Sequence, residues 1–208
     1  NLGLVALMRG DIEQATGMLE ESLTLARRRG DRSSVAAAQG NLGIIALQTG
    51  QLDEADASLR EVLALARQMR DKLWTSTALL NLGVLACDRD DYLQALRYFQ
   101  QSLVICRDLG NRLSAVSCLE EIGASLSEME RLEDAARVLG AAATLRVDLN
   151  APLMDVELFV REEYEPRLQS IRDRLGEEPF QRCWSQGQGM SLEDAIGFAL
   201  AIRDESES

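Results

Sequence analysis

Residues with the usual chemistry of an active site are scarce in this sequence of 208 residues, and histidine is absent altogether. Without imidazole, the chain has neither a Ser-His-Asp nor a Cys-His arrangement and no histidine ligand for a metal. The four cysteines, Cys87, Cys106, Cys118 and Cys183, include no pair with the two-residue gap of a zinc site. We interpret them as small buried apolar side chains of a protein in the reducing cytoplasm.

Phosphate-binding loops are missing from the sequence as well. Lys72 is the sole lysine and does not follow a glycine-rich phosphate loop. The glycines of 187–189 lack the third glycine and the preceding strand of a dinucleotide fingerprint, so we predict a turn there. Carboxylates are plentiful, but they lie where solvated helix faces and helix caps would place them. We therefore expect no enzyme, no cofactor and no bound metal.

The formal net charge of −12 restricts the partners of this chain. An acidic surface repels phosphate backbones and anionic lipid head groups, so we expect neither nucleic acid nor a membrane as a partner. No apolar run approaches the roughly 20 residues that a membrane-spanning helix needs. A signal-peptide pattern is not present either, and the cytoplasm is the predicted location.

A period of forty residues organises the sequence. Its marker is a tripeptide that occurs as Asn1-Leu2-Gly3, Asn41-Leu42-Gly43 and Asn81-Leu82-Gly83, and in altered form as Glu121-Ile122-Gly123. A fixed period of this length is typical of an all-α solenoid of stacked helix pairs. Because the chain begins inside a repeat motif, we expect it to be a piece of a longer protein.

The period divides the chain into an array at 1–150 and a tail at 151–208. The array is predicted to contain four repeats, at 1–40, 41–80, 81–120 and 121–150. The tail is predicted to form helices at 153–175, 177–186 and 192–202 that cap the exposed apolar face of the last repeat. The side chains expected to cover that face are Phe180, Trp184, Leu192, Ile196 and Leu200.

Each repeat is predicted to contain a helix A and a helix B, as at 32–48 and 52–69 of the second. Aspartate or asparagine before helix A, and Ser191 with Asp194 before the last helix, are predicted caps. Small residues recur where helices would cross, although glycine inside a helix costs about 1 kcal/mol relative to alanine. The recurring sets are Gly3, Gly43, Gly83 and Gly123; Ala15, Ala55, Ala95 and Ala135; and Leu19, Leu59, Phe99 and Leu139.

The spacing of Leu42-Gly43-x₂-Ala46 with Ala55-x₃-Leu59 resembles the core of the tetratricopeptide repeat. The present unit is longer than the usual one, carries Leu79 where tryptophan is usual and lacks the closing proline, with Arg67 in its place. The resemblance implies helix pairs whose A helices line a concave surface, and a function in binding proteins.

The tail carries a second resemblance, through Ala136-Arg137-x-Leu139-Gly140, Arg172-x₂-Leu175-Gly176-Glu177 and Trp184-x₂-Gly187. These motifs are similar to the C-terminal end of large bacterial signalling regulators. Such regulators pair a nucleotide-binding switch ATPase with a tetratricopeptide array and often add a LuxR-type or SARP-type DNA-binding domain, or a nucleotide cyclase domain. The resemblance implies that this chain is the sensor or scaffold arm of such a protein.

Residues at equivalent positions of the A helices would form rows along the concave surface, apolar towards the N-terminal repeats and acidic towards the C-terminal ones. The expected partner is a protein or peptide segment with an apolar end and a basic end, or the ATPase or effector domains of the parent chain. Packing of some rows within the array is an equal alternative. The predicted surface comprises Met8, Ile44, Leu47, Gln48, Thr77, Val84, Asp88, Ser117, Glu120 and Glu128.

Three functions fit this architecture. The first is a protein-interaction scaffold in a signalling regulator, the second a sensor arm whose groove binds a small effector, and the third a self-associating array in which exposed first helices pair as a homodimer. A thermal-stability screen with metabolites separates the second function, because a bound ligand stabilises the native state. Light scattering separates the third.

Overall fold

The computed structural model describes residues 12–150 and 158–203. In these ranges the chain forms ten α-helices and no strand, which confirms the predicted all-α class. Within each of the two compact units described below, consecutive helices of the array pack against each other, as expected of a solenoid of helix pairs. The predicted first helix of repeat one, with Gly3 and Met8, lies outside the described residues.

The first compact unit, Asn1–Arg89, contains four helices of the described chain. In order they are α1 (Ile12–Arg29), α2 (Arg32–Gln48), α3 (Leu52–Met69) and α4 (Lys72–Asp88). Each helix packs against the next, and α2 also contacts α4. The predicted bounds of the second repeat, 32–48 and 52–69, coincide with α2 and α3.

The second compact unit, Asp90–Ser208, contains the other six. They are α5 (Tyr92–Leu109), α6 (Arg112–Glu128), α7 (Leu132–Asp148), α8 (Leu158–Leu175), α9 (Glu177–Gln188) and α10 (Leu192–Ala201). The tail caps the last repeat as predicted, because α9 packs on α7 and α10 packs on α5, α6 and α7. Phe180 and Ile196 are each 1% exposed in this cap. The division into domains at 1–150 and 151–208 stays a prediction.

Short polar side chains begin several helices, as the sequence predicts. Asp31, Asp71 and Asn111 each accept a hydrogen bond from the backbone N–H three residues later, at 3.0–3.1 Å. Ser191 and Asp194 form a reciprocal capping box at the start of α10. Such bonds satisfy backbone donors that have no partner inside the helix, so they fix where each helix starts.

A left-handed residue ends most helices, at a spacing of twenty residues. Positive φ angles occur at positions 30, 50, 70, 90, 110, 130 and 150. Glycine at 30, 50 and 110 adopts this conformation without strain, whereas Arg70, Asp90, Glu130 and Asn150 carry a Cβ that opposes it. The forty-residue repeat is therefore built from two halves of equal length, each one helix and one turn.

The predicted helix crossings are confirmed by the packing of the small residues. A Cβ added to Gly43 of α2 would lie 3.0 Å from Leu59 Cδ2 of α3, and one added to Gly123 of α6 would lie 2.6 Å from Leu139 Cγ of α7. The alanines of the series are fully buried, and so are the large apolar residues one turn later. Glycine in helix A therefore makes room for the large side chain of helix B.

The predicted turn at 187–189 is wrong for its first two residues, because α9 continues to Gln188. Gly187 is instead a contact with α7, where an added Cβ would lie 2.9 Å from the backbone N of Ala141. From the other side, a Cβ on Gly140 would lie 2.5 Å from the carbonyl oxygen of Trp184. Two glycines therefore let α7 and α9 touch backbone to backbone, and local sequence could not distinguish this from a turn.

Candidate partner-binding surface

In the first unit, the predicted surface lies on α2 and α4, two helices that contact each other. Ile44, Leu47 and Gln48 share one face of α2, and Val84 and Asp88 occupy the matching positions of α4. The three apolar side chains are half-buried, whereas Gln48 and Asp88 are exposed. This face combines apolar contact area with polar groups at one end of each helix, a composition typical of protein interfaces.

The two hydroxyl groups of the predicted surface are engaged with their own helices. Thr77 of α4 donates to the carbonyl oxygen of Leu73 at 3.0 Å. Ser117 of α6 donates to the carbonyl oxygen of Leu113 at 3.4 Å. Both side chains are half-buried, so we expect them to lie at the polar rim of the surface and to contribute little binding energy.

The two carboxylates of the predicted surface that lie in the second unit differ in their burial. Glu128 is exposed at the end of α6, whereas Glu120 of the same helix is only 9% exposed. Met8, the most N-terminal residue of the predicted surface, lies outside the described residues. A basic ligand would therefore meet Glu128 directly, but not Glu120.

Glu120 is held by an ion pair with Arg146 of α7. Arg146 Nε donates to Glu120 Oε1 at 2.6 Å, and a second hydrogen bond joins Nη2 to Oε2. The two side chains are 9% and 10% exposed, so the pair lies inside the second unit. A bidentate arginine–carboxylate pair of this kind is strong and geometrically specific. The charge of Glu120 is thus matched within the fold.

Sequence reasoning missed this pair, although a signal was available. Arg146 occupies the repeat position that holds Ala26, Ala66 and Cys106, all of them buried. A charged residue in a series of small buried ones indicates a buried partner, because an unpaired charge in the interior is costly.

Tyr164 of α8 lies beside the Glu120–Arg146 pair. Burial raises the pKa of the Tyr164 phenol, and the carboxylates of Glu120 and Glu165 raise it further, while Arg146 acts in the opposite sense. The phenol therefore stays protonated at neutral pH and can donate a hydrogen bond. The tail helix α8 thus approaches the polar positions of α6 and α7.

None of the helices within 12–150 and 158–203 is long and apolar enough to cross a membrane. The three cysteines of the second unit, Cys106, Cys118 and Cys183, are buried thiols that form no disulfide, and Cys87 is half-buried. This placement agrees with their interpretation as small apolar side chains.

The succession of helix pairs with small residues at their crossings defines a helical-repeat protein. The tetratricopeptide repeat model matches residues 1–68 and 74–146, which together are more than half of the chain. The chain therefore belongs to the tetratricopeptide repeat family. Repeats of this family bind proteins or peptides and are typically not catalytic, so the chain is a protein-interaction module.

Two similar proteins are regulators by name. They are "Putative HTH-type transcriptional regulator Rv0890c" of Mycobacterium tuberculosis (strain ATCC 25618 / H37Rv) and "Putative HTH-type transcriptional regulator Mb0914c" of Mycobacterium bovis. Each is 29% identical to this chain over 87 residues, which is 41% of this chain. The matched part is 9% of the length of each relative.

Proposed function

We propose that this chain is a scaffold in the regulatory arm of a larger bacterial signalling or transcriptional regulator, acting in the cytoplasm. The observation that carries the proposal is the half-buried apolar face of α2 and α4 in a chain of the tetratricopeptide repeat family. Similarity to proteins named as HTH-type transcriptional regulators supports the regulatory context. In this role the chain binds a protein segment, either of another protein or of its own parent chain.

The proposed partner segment has an apolar part and a basic part. Ile44, Leu47 and Val84 offer apolar area that a partner side chain would remove from water, at about 25 cal/mol for each Å². Asp88 and Glu128 are exposed carboxylates that attract lysine or arginine. Exposed charges of this kind mainly accelerate association and select the partner, whereas the buried apolar contacts supply most of the affinity.

The test is a charge reversal in the whole chain. A partner captured with the immobilised chain is identified and its affinity is measured for the Asp88→Arg/Glu128→Arg variant. We expect the dissociation constant to rise by about tenfold at low salt and by less at high salt, because the screening length shortens. The matched control is Glu21→Arg/Glu178→Arg, which makes the same change of charge at exposed positions of α1 and α9. Equal affinities of the two variants would exclude both Asp88 of α4 and Glu128 of α6 from the binding surface.

A further inference from the structure

A cleft of about 930 Å³ lies in the first unit and is lined by α1, α2 and α3. Its deepest side chains, Ile45 and Ala46 of α2, are apolar and each 4% exposed. Its walls on α1 and α3 carry the small residues Gly17 and Ala57. Three carboxylates also line the cleft, those of Glu13, Glu20 and Glu54.

The corresponding helices of the second unit hold a helix in this position. Residues 92–148 repeat the three-helix pattern of 12–68 at a distance of eighty residues, and α10 packs against all three of their helices, α5, α6 and α7. Ala195, Ile196 and Ala199 of α10 are buried in this contact.

Polar contacts fix the C-terminal end of α10 to the walls of its groove. The amide of Gln100 donates to the carbonyl oxygens of Ala199 and Ile202 at 3.0 and 2.9 Å. Arg131 donates to the carbonyl oxygen of Arg203 at 2.7 Å. The Ala199 carbonyl belongs to the last turn of α10, where carbonyls have no intrahelical partner, and Ile202 and Arg203 directly follow the helix.

The residues that hold α10 match the residues that line the cleft. Eighty positions before Gln100 and Arg131 stand Glu20 and Gln51, and both line the cleft. Arg137, whose guanidinium lies 5.1 Å from the ring centroid of Phe198, corresponds to Ala57, which also lines it. The cleft is therefore the counterpart, in the first unit, of the groove that α10 fills in the second.

We propose that the cleft between α1 and α3 binds a short amphipathic helix of a partner protein, with leucine-sized apolar residues on one face and lysine or arginine on the other. This surface is distinct from the face of α2 and α4 named above, so it goes beyond the proposed function and does not depend on it.

Charge selects a basic helix for the cleft. In the second unit, Arg131 and Arg137 contact α10, and both form ion pairs with Asp134, the counterpart of Glu54. The first turn of α10 itself carries the acidic residues Glu193 and Asp194. In the first unit, the counterparts of these arginines are uncharged, and the charged lining residues are the three carboxylates named above. An acidic helix such as α10 of a second copy is therefore repelled, and a basic one is attracted.

Hydrogen bonding in the cleft also favours a basic helix over an acidic one. Gln100 donates to the last carbonyls of α10, but its counterpart Glu20 is a carboxylate that only accepts. A helix in the cleft must therefore present donors to Glu20, either lysine and arginine side chains or the N–H groups of its first turn.

The width of the cleft determines the apolar face of the partner. A Cβ added to Gly17 meets no atom within 4 Å, and Ala57 stands where the second unit has the long side chain of Arg137. The small alanines that α10 buries would leave voids here, and voids lose contact energy. Leucine, methionine or phenylalanine on the partner helix fill the same space.

The test is a titration of the whole chain with blocked peptides. The probe has about 14 residues, the length of a helix of roughly 21 Å, with leucine at helical i, i+3, i+4 and i+7 positions and lysine or alanine elsewhere. One control peptide has the same composition in scrambled order, and another is the segment 190–203 of this chain. We expect the amphipathic basic peptide to bind about tenfold more tightly than either control.

Protein variants then locate the binding. Glu20→Gln/Gln51→Arg/Ala57→Arg gives the cleft the residues of the second unit, and we expect it to weaken the basic peptide about tenfold and to strengthen the 190–203 peptide. The control, Glu21→Arg/Gln68→Arg, changes the net charge by the same amount at exposed positions outside the cleft, and we expect little effect. Unchanged affinity of the triple variant, or an equal loss in the control, overturns the proposal.

A second variant guards against a folding defect in the first. Gly17→Phe puts a large side chain into the cleft at an exposed helical position, and circular dichroism melting checks that the fold is retained. We expect this variant to bind the basic peptide about tenfold more weakly, with a melting temperature no lower than that of the parent chain. Full binding by folded Gly17→Phe protein also overturns the proposal. A failure here leaves the charge-reversal test of the α2 and α4 face unaffected, because those residues do not line the cleft.

Discussion

The Glu120–Arg146 pair shows how a single residue type changes the core of a repeat. At the matching positions of the preceding helix pair stand Leu80 and Cys106, which need no charge compensation. Two charges in the interior lose their hydration, and their attraction offsets that loss only when both are present in good geometry. The pair therefore specifies the contact between α6 and α7 more than it stabilises it.

We predict that Arg146→Ala lowers the free energy of unfolding by about 3–5 kcal/mol, because it leaves the buried carboxylate of Glu120 without its partner. The double variant Glu120→Leu/Arg146→Cys has the residues of the preceding helix pair at these positions. It should lower the free energy of unfolding less than the single change does. Urea unfolding followed by circular dichroism measures both. Losses that add in the cycle of Glu120→Leu, Arg146→Cys and their double variant would contradict this interpretation.

A matched pair of glycines tests the contact between α7 and α9. At Gly140 a new Cβ would lie 2.5 Å from a backbone oxygen, whereas at Gly197 of α10 it meets nothing within 4 Å. We predict that Gly140→Ala lowers the free energy of unfolding by about 1–3 kcal/mol through overpacking. Gly197→Ala should raise it by about 0.5–1 kcal/mol, because alanine favours the helix. Thermal denaturation that ranks the two variants in the opposite order would contradict the packing.

At the scale of elements, several turns place a residue with a Cβ in the left-handed conformation, and glycine at the same position would remove this strain. Arg70 ends α3 with φ of 56°, whereas Gly110 ends α5 with a similar φ of 65°. We predict that Arg70→Gly raises the free energy of unfolding by about 1 kcal/mol, since the left-handed conformation opposes a Cβ. Gly110→Ala should lower it by a similar amount. Chemical denaturation of the two variants gives the comparison, and a loss of stability in Arg70→Gly would show that the arginine side chain contributes more than its backbone costs.

The helices themselves could be predicted from sequence because local signals agree with tertiary packing. Glycine or a polar residue every twenty positions ends a helix, and the caps at Asp31, Asp71 and Asn111 begin the next. The C-terminal end of α9 could not be predicted, because Gly187 has the local signature of a turn residue and only its contact with α7 shows otherwise. Local helix propensity predicts structure poorly where a contact with a backbone segment distant in the sequence determines the conformation.

The candidate surface was predictable only in part, for a related reason. The alternation of helix faces places Ile44, Leu47 and Val84 at half-buried positions, as periodicity alone suggests. Glu120 has the same kind of position in the sequence, but Arg146 buries it. The capping of the last repeat by the tail was predicted, because an exposed apolar face needs a cover, but the additional contact of α10 with α5 of the preceding repeat was not.

At the scale of the whole molecule, the two proposed surfaces consist of different residues, although α2 contributes to both, and they select similar chemistry. The face of α2 and α4 offers apolar residues with exposed acids, and the cleft of α1 and α3 offers an apolar floor with acidic walls. With a net charge of −12, the chain attracts basic partners at long range before short-range contacts select among them. We therefore expect that two partner segments, or two parts of one partner, bind without competing.

The equivalence of positions in successive repeats is tested most directly by one measurement. Backbone amide shifts of the ¹⁵N-labelled chain are recorded during titration with the basic amphipathic peptide. We predict that the largest shift changes fall on the cleft residues of α1 and α3, at 12–20 and 51–58, and on Ile45 and Ala46 of α2. Shift changes concentrated on Val84 and Asp88 of α4, or spread evenly over all exposed acidic residues, would contradict it.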